Sequence, residues 1–302
     1  MWWRRILLTV GLAASAYGVG AWLSERRDNS TVTGPVAASD GHSHSGDVTP
    51  ATGAHAGMDH SATTGDGRPG IVNGLEVVAT SRALSAGVEG PLSFQVRGIG
   101  ESGAQRAFAI AHEKPMHLIV VRSDLSGYQH VHPTMDVDGT WTVPIKLGAG
   151  DWRVVADSVP VINGAPTPTI IGFDIRVAGV ADDTPLPEPS RTATVDGYSV
   201  QMKGFVGIRH SDALQFIVTR NGQPVTTIEP YLAAYGHLVA MNAETLTFTH
   251  IHPANEVVPG KLAGPRVDFE AQVSDEGLYR LFFQFQVDGT VHTAEFTVDV
   301  LS

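Results

Sequence analysis

Two stretches of the chain repeat one pattern: MHLIVVRSDLSGYQHVHP at Met116–Pro133 and GHLVAMNAETLTFTHIHP at Gly236–Pro253, 120 residues later. Each copy has a His-Leu pair, a thirteen-residue step and a His-x-His-Pro motif. The matching histidines, which align without a gap, are His117, His130 and His132 in the first copy and His237, His250 and His252 in the second. Spacing repeated this closely indicates a tandem duplication built around three histidines.

Composition narrows the classes of function. A chain of 302 residues is long enough for two domains of ordinary size. The formal charge of -11 and the lack of a Lys/Arg-rich patch argue against nucleic acid as a partner. The chain has no cysteine, which excludes disulfides, thiolate metal ligands and cysteine nucleophiles. A metal site would therefore use His, carboxylate, Met or backbone ligands.

The N-terminus has the pattern of a membrane-targeting segment. Arg4 and Arg5 precede an apolar run, Ile6–Leu23, which is at the short end of the length that spans a bilayer. We interpret residues 1–24 as an uncleaved anchor with the N-terminus inside. The alternative is a signal peptide cut after Ala14–Ala16. Both interpretations predict that the rest of the chain lies outside the cytoplasmic membrane, as a single-pass membrane protein or a secreted one.

Residues 25–70 are rich in Gly, Ala, Ser, Thr and Asp and show no apolar periodicity. This composition predicts a disordered linker, because the segment cannot bury a core. The segment contains His42, His44, His55, His60 and Met58. These residues are either incidental in a soluble linker or the donors of a flexible metal-collecting arm.

From residue 71 onward, short alternating runs are separated by Gly, Pro, Asn and Asp, which is typical of β-sandwiches. We predict an all-β protein with two tandem Ig-like sandwich domains, at 71–179 and 192–302, joined by a proline-rich linker at 180–191. Asp288-Gly289 predicts a hairpin turn. The predicted strands are Leu75–Ala79, Leu92–Val96, His117–Val121, Trp141–Ile145, Trp152–Ala156 and Ile170–Val177, then Ala193–Met202, Leu214–Thr219, His237–Met241, Val267–Val273, Tyr279–Val287 and Thr290–Val300.

Each histidine stretch reads as a β-hairpin. If the first turn centres on Asp124-Leu125, the numbers of paired residues sum to 249 and His117 lies opposite His132. His130 then shares their face, because side chains alternate along a strand. The second copy predicts the same arrangement about Glu244-Thr245, with paired residues summing to 489.

Three neutral imidazoles on rigid strands suit Cu(II) or Zn(II), so the sequence predicts one copper or zinc site in each domain. Further candidate ligands differ between the copies: His112 near the first set and His292 near the second. Because imidazole binds metals in its neutral form, binding is expected to weaken as the pH falls through about 6 to 6.5.

Two other interpretations compete with metal binding. The histidine face also carries Ile119, Val121 and Tyr128, so the histidines could be structural residues of an Ig-like module that binds a partner protein. His250-x-His252 followed by Glu256 imitates part of a cupin metal motif, but neither repeat shows the flanking glycines or the second cupin motif. We therefore do not expect an enzyme.

The phrases HEKPMHLIVVRSDLSGYQHVHP, YGHLVAMNAETLTFTHIHP and GLYRLFFQFQVDGTVHTAEFTV resemble a family of actinobacterial membrane-anchored or secreted proteins with tandem His-x-His-Pro domains. The resemblance covers about residues 71–302. It implies heavy-metal binding or a part in copper handling. The general layout of this chain is also similar to that of small extracytoplasmic copper carriers with a cupredoxin-like or CopC-like sandwich. That similarity concerns the fold alone. From the histidine sites we predict a role in metal buffering, resistance or delivery, with a metal transporter or another envelope protein as partner.

Overall fold

A computed structural model describes residues 64–81, 83–182, 184–251 and 253–301. Every regular secondary-structure element in these ranges is a β-strand, which confirms the predicted all-β class. Within the same ranges, no helix is long and apolar enough to cross a membrane. The predicted anchor at 1–24 and the four histidines of the predicted arm lie outside the described residues.

The first half of the described chain forms two sheets, together called the first sandwich. One sheet has the strand order β1-β2-β7-β6, and the other has the order β10-β8-β4-β5, with β3 and β9 paired to β8. The strands are β1 (Leu75–Ala79), β2 (Glu89–Gly98), β3 (Phe108–Ala109), β4 (Met116–Arg122), β5 (Gln129–Val131), β6 (Thr134–Met135), β7 (Thr140–Lys146), β8 (Gly150–Ile162), β9 (Ala165–Pro166) and β10 (Thr169–Val177).

The second half forms the second sandwich, again from two sheets. Their orders are β11-β12-β14-β18-β13, with β15 paired to β14, and β17-β16-β19-β20. The strands are β11 (Thr192–Val195), β12 (Tyr198–Gly204), β13 (Gly207–Ile208), β14 (Asp212–Arg220), β15 (Gln223–Pro224), β16 (His237–Asn242), β17 (Phe248–Ile251), β18 (Arg266–Val273), β19 (Gly277–Val287) and β20 (Thr290–Val300).

Alternating apolar residues build the core of each sandwich. In β7, Trp141, Val143 and Ile145 are buried, while the residues between them are not. They pack against Leu118 and Val120 of β4, which come from the facing sheet. The sheet that contains β7 is thus apolar on one face only, as expected of an antiparallel sheet with one face packed on a core.

The two histidine-bearing strands differ from this pattern, because β4 and β16 are buried on both faces. Ile119 and Val121 of β4 point away from the first core and join a separate apolar cluster. Val239 and Met241 of β16 belong to the same cluster. The sheets that carry the histidine hairpins therefore pack against each other, and the described part of the chain has four sheet layers with three apolar layers between them.

Residues 64–70, the end of the predicted disordered linker, are ordered against both sandwiches. The carbonyl of Thr64 accepts from Ile170 N–H at 2.6 Å, and the carbonyl of Asp66 accepts from Phe248 N–H at 2.8 Å. Arg153 donates to the carbonyls of Gly67 and Leu246, each at 3.3 Å. The sequence pattern missed this segment because backbone hydrogen bonds, and not buried side chains, order most of it.

Each predicted strand overlaps an observed one, but β8 extends well beyond the predicted Trp152–Ala156, and the two-residue strands β3, β6, β9, β13 and β15 were not predicted. One predicted strand is divided. The predicted strand Ala193–Met202 is two strands, β11 and β12, joined at Asp196 and Gly197. Both residues have positive φ, 48° and 82°, which is the backbone of a two-residue hairpin turn. The predicted Asp288-Gly289 turn has the same geometry, with φ of 51° and 70°, and is confirmed.

Candidate metal centre

Both predicted hairpin registers are present. Leu118 pairs with Val131 and Ile119 with His130, so paired residue numbers sum to 249. In the second copy, Val239 pairs with His250, which sums to 489. The first turn is one residue tighter than the second: N–H of residue 122 bonds to the carbonyl of 126, whereas N–H of 242 bonds to the carbonyl of 247. Gly127, at φ 67°, restores the first register.

The histidine face of each hairpin looks neither into its own core nor directly to solvent. His117 and His237 are 3% and 2% exposed, and both lie on the strand faces that meet between the sandwiches. The predicted neighbours behave accordingly, since Tyr128 stacks on Phe282 of the other sandwich at a centroid distance of 4.0 Å. The histidines are therefore placed at the junction of the two sandwiches.

Three histidines of the first copy converge as predicted. His117 Nδ1 lies 3.1 Å from His130 Nε2 and 3.2 Å from His132 Nε2. One ligand nitrogen from each ring lies within 4.8 Å of the other two, which is the geometry of a group that could hold a metal ion. His117 is buried, and His130 and His132 are partly buried, so the group is accessible from the side of these two rings.

In each ring, we call the nitrogen that faces the other histidines the inner nitrogen and the remaining one the outer nitrogen. The hydrogen-bond partners of the outer nitrogens indicate which inner nitrogens carry a lone pair. His117 Nε2 lies 3.1 Å from the carbonyl of Ala111, which can only accept, so Nε2 carries the proton. His130 Nδ1 lies 2.7 Å from Gln284 Oε1, and the Gln284 amide nitrogen donates to Thr293 at 3.2 Å. With those protons on the outer nitrogens, the lone pairs of His117 Nδ1 and His130 Nε2 face each other at 3.1 Å, an arrangement that a shared cation would stabilise.

Burial favours the neutral form of four of these imidazoles. Loss of hydration, reinforced by the charge of a neighbouring imidazole, lowers the pKa of His130, His132 and His237 from the ordinary 6.5 to about 3. The same causes lower the pKa of His250 well below its ordinary value. Neutral imidazole is the form that binds metals. Protonation of these rings is therefore expected only well below the ordinary histidine range of pH 6 to 6.5.

The second copy has a related arrangement. His237 Nε2 donates to the carbonyl of Tyr231 at 2.8 Å, as His117 does to Ala111 six residues before it. His250 Nδ1 lies 2.9 Å from Asp157 Oδ2. The third predicted ligand of this copy, His252, lies outside the described residues.

The sequence predicted one separate histidine site in each domain. In the structure, the two histidine sets instead form one cluster. Ring centroids of His117 and His250 are 6.2 Å apart, and those of His130 and His237 are 6.1 Å apart. The hydrogen bonds also cross the junction: Gln284 of the second sandwich holds His130, and Asp157 of the first holds His250.

The sequence analysis did not identify Asp157 and Gln284, although they occupy equivalent positions in the two repeats. Asp157 pairs with His117 across β4 and β8, and Gln284 pairs with His237 across β16 and β19. Because the two residue types differ, no repeated letter marks the position. The pairing of the late strand with the first histidine of each hairpin was the signal that could have located both.

The two additional candidate ligands are placed differently. His112 belongs to the cluster, with its ring centroid 5.9 Å from that of His117 and 5.6 Å from that of His250. His292 does not: it pairs with Phe285, and its Nδ1 lies 2.8 Å from Asp196. Directly paired residues share a face and neighbours alternate, so His292 lies on the opposite sheet face from Gln284. The structure therefore removes His292 from the predicted ligand set.

Both carboxylates of the cupin-like pattern are exposed. Glu256 is exposed in the loop after β17. Asp136, its counterpart, accepts from the backbone N–H groups of Asp138 at 3.0 Å and Thr140 at 2.8 Å, which makes it a turn residue.

The described chain is thus a pair of β-sandwiches with a histidine cluster at their junction. Residues 193–302 match a family model described as a domain of unknown function (DUF8832). No curated protein matches the chain.

Three solved structures are distantly similar. They are the Escherichia coli adhesin FdeC (15% identity, 76% of this chain and 65% of that chain, TM-score 0.23), a tetra-tandem repeat in the extending region of a large adhesion protein (10%, 75% and 49%, 0.25) and a mutant of Salmonella alpha-2-macroglobulin (15%, 80% and 15%, 0.24). The matched part of this chain spans less than two thirds of each of them. Similarity at these TM-scores supports no functional argument.

Proposed function

We propose that the protein binds Cu(II) or Zn(II) outside the cytoplasmic membrane and serves metal buffering, resistance or delivery. The ligands are His117, His130 and His132. The observation that carries the proposal is the convergence of their three inner nitrogens, with the proton of His117 and of His130 held on the outer nitrogen by an oxygen acceptor.

The donor set suits these two ions. Imidazole is a favoured ligand of Cu(II) and Zn(II), and three protein ligands leave a coordination position for water or for a ligand of a receiving protein. An acceptor on the outer nitrogen of a ligating histidine orients the ring and raises its basicity. Here Ala111 and Gln284 supply those acceptors. The open side near His132 is the expected route for the ion.

The remaining parts of the proposal come from the sequence. The apolar segment within 1–24 would anchor the chain in the cell membrane with two Ig-like domains outside, or would be removed as a signal peptide from a secreted protein. The partner for delivery would be a metal transporter or another envelope protein. We propose binding without catalysis.

A partner-binding module with structural histidines is the second candidate. It is favoured by the hydrogen bonds of His117 and His237 to backbone carbonyls, which join a strand to the turn before it in each sandwich. Under this hypothesis, the histidines hold the junction together and no ion binds stoichiometrically.

Metal titration distinguishes the two candidates. The full-length chain in detergent, with the four arm histidines at 42, 44, 55 and 60 replaced by Ala, is dialysed against Cu(II) or Zn(II) and the bound metal is counted. We expect at least one tightly bound ion per chain. His132→Ala, at a partly exposed ligand, should weaken binding by about 100-fold or more, since even an outer-shell partner is worth about 10- to 100-fold.

The control variant is His210→Ala, which removes an exposed imidazole bonded to the carbonyl of Ile208 and close to Asp212. It should leave the affinity unchanged. The proposal is wrong if the chain binds no ion stoichiometrically, or if His132→Ala and His210→Ala bind equally well. Circular dichroism of each variant separates loss of a ligand from loss of fold.

A further inference from the structure

A row of hydrogen-bonding groups runs through the ligand set from the first sandwich into the second. The Ala111 carbonyl lies 3.1 Å from His117 Nε2, and His117 Nδ1 lies 3.1 Å from His130 Nε2. At the other end, His130 Nδ1 lies 2.7 Å from Gln284 Oε1, and Gln284 Nε2 donates to Thr293 Oγ1 at 3.2 Å. The row therefore joins the turn before β4 to β20 across the junction.

This row is one proton short unless an ion lies between the two imidazoles. Each contact from the Ala111 carbonyl to Gln284 Oε1 needs a proton, but the row has one more contact than it has imidazoles, and a neutral imidazole carries one proton. His132 does not relieve the shortage, because a proton on its Nε2 serves only its own 3.2 Å contact with His117 Nδ1. An additional proton is also disfavoured, since burial lowers the pKa of His130 to about 3.

The two ends of the row differ in their ability to adapt. The Ala111 carbonyl is a backbone group that also accepts from Lys114 N–H at 3.0 Å, and it can only accept. The Gln284 side chain has an acceptor and a donor on one amide carbon, so a half-turn about its last bond exchanges them. Thr293 tolerates the exchange, because a hydroxyl both donates and accepts. The Gln284 end is thus the one that can remove the shortage.

We propose that the Gln284 amide is a switch that responds to the occupancy of the metal site. With an ion bound, His130 Nδ1 donates to Gln284 Oε1, which is the orientation of the amide in the structure. Without an ion the amide is reversed: Gln284 Nε2 donates to His130 Nδ1, and Gln284 Oε1 accepts from the Thr293 hydroxyl. His130 then donates from Nε2 to His117 Nδ1. The inference rests on the proposed function, because the ion is what favours the first arrangement.

The proton balance closes in this exchange. When the ion leaves, the His130 ring gives up the proton on Nδ1 to water and takes one up on Nε2, so the ring is neutral before and after. The Gln284 amide keeps both of its protons and only rotates. Occupancy of a site in the first sandwich is in this way transmitted to Thr293 on β20 of the second.

The equivalent residue of the other sandwich, Asp157, lacks this freedom. Its Oδ2 lies 2.9 Å from His250 Nδ1. An ionised carboxylate has no donor, so it accepts in every arrangement. Gln284→Glu would give His130 the same fixed acceptor and should hold its proton on Nδ1 with or without an ion.

The test is the tautomer of His130, measured by long-range proton–nitrogen NMR correlation on protein with ¹⁵N-labelled histidine. The full-length chain in detergent, without the four arm histidines, is compared with and without saturating Zn(II) at about pH 8, where imidazole is neutral. We expect the His130 proton on Nδ1 with zinc and on Nε2 without zinc. His117 should keep its proton on Nε2 in both samples. The spectrum of His130→Gln assigns the resonances.

Two variants test whether the amide causes the change. Gln284→Glu should keep the His130 proton on Nδ1 in both samples. Gln286→Ala, two residues further along β19, is the control and should switch tautomer as the wild type does. Circular dichroism shows that each variant is folded, and the wild-type spectra remain decisive if Gln284→Glu does not fold.

The outcomes separate this inference from the proposed function. Bound zinc with the His130 proton on Nδ1 in both wild-type samples overturns the switch and leaves the metal site intact. A tautomer change that persists in folded Gln284→Glu overturns the role of the amide. No stoichiometric zinc in the wild type overturns both the switch and the proposed function.

Discussion

Gln284 illustrates how one residue can act on a site without contacting the ion. Its Oε1 accepts from His130 Nδ1 at 2.7 Å, which orients the ring and keeps the proton off the inner nitrogen. Gln284→Ala removes this acceptor, and we expect the affinity for Cu(II) or Zn(II) to fall by about 10- to 100-fold. Competition against a chelator of known affinity measures the change.

Gln286→Ala is the matched control, because Gln286 lies two residues further along β19 and donates to Glu229 at 2.8 Å. It should bind metal as the wild type does. Equal affinity in the two variants would show that the contact between Gln284 and His130 has no role in metal binding.

The buried imidazoles make the stability of the metal-free protein depend on pH. The pKa of His130, His132 and His237 is lowered to about 3 in the folded chain, whereas an unfolded histidine titrates near 6.5. Below about pH 6.5 the unfolded chain therefore binds more protons than the folded one. The free energy of unfolding should fall as the pH decreases from 6.5 toward 3, by about 1.4 kcal/mol per pH unit for a fully buried group such as His237.

Urea denaturation between about pH 7.5 and pH 5, above the range where most carboxylates titrate, measures this slope. His237→Gln keeps a donor for the carbonyl of Tyr231 and removes the titrating group, so its slope should be shallower than that of the wild type. Parallel slopes for the two proteins would contradict the prediction.

At the scale of elements, the hairpins show how far sequence reasoning reaches. The register could be predicted because a hairpin is local: the turn and the two-residue alternation together determine which side chains share a face. The same reasoning places Phe285 and His292 on one face, so His292 could have been excluded. The split at Asp196-Gly197 was also visible as turn chemistry, since Asp-Gly is a favoured two-residue hairpin turn.

The segment 64–70 is an element that depends on the junction, and Gly67 is the residue in it that lies close to both sandwiches. It has φ 73°, and a Cβ there would lie 2.7 Å from Phe248 Cβ and 3.1 Å from Val155. Gly67→Ala should therefore destabilise the protein both through the backbone and through the clash. Gly74→Ala is the control, since Gly74 has φ 75° with open space around it.

We expect Gly67→Ala to cost about 1–3 kcal/mol more than Gly74→Ala, which is the usual range for overpacking. Urea denaturation of both variants measures the difference. Equal losses would mean that the segment moves away from Phe248 and Val155 without cost, and that it does not contribute to the junction.

At the scale of the whole molecule, the location of the cluster could not be predicted. The sequence indicates an apolar face with histidines, but the surface that covers it comes from the other repeat, more than a hundred residues away. Each repeat alone is compatible with a buried core histidine or with an exposed site. Only the packing of one histidine-bearing sheet on the other shows that both sets meet, and that the outer partners of His130 and His250 come from the opposite sandwich.

Since the junction is both apolar and hydrogen-bonded, the two sandwiches should unfold as one cooperative unit. Phe282 is fully buried in the junction cluster and stacks on Tyr128, and Phe283, its neighbour in β19, is fully buried in the second core. Truncation of either to Ala should cost about 3–5 kcal/mol. Only Phe282→Ala should also uncouple the sandwiches, because only it removes contacts between them.

Tryptophan fluorescence and circular dichroism together test this coupling. In the described residues the tryptophans are Trp141 and Trp152, both in the first sandwich, whereas far-ultraviolet circular dichroism reports on all the sheets. With the three N-terminal tryptophans replaced by Phe in every sample, the two denaturation curves should coincide for the wild type and for Phe283→Ala and separate for Phe282→Ala. Curves that already separate in the wild type would show that the junction does not couple the two halves.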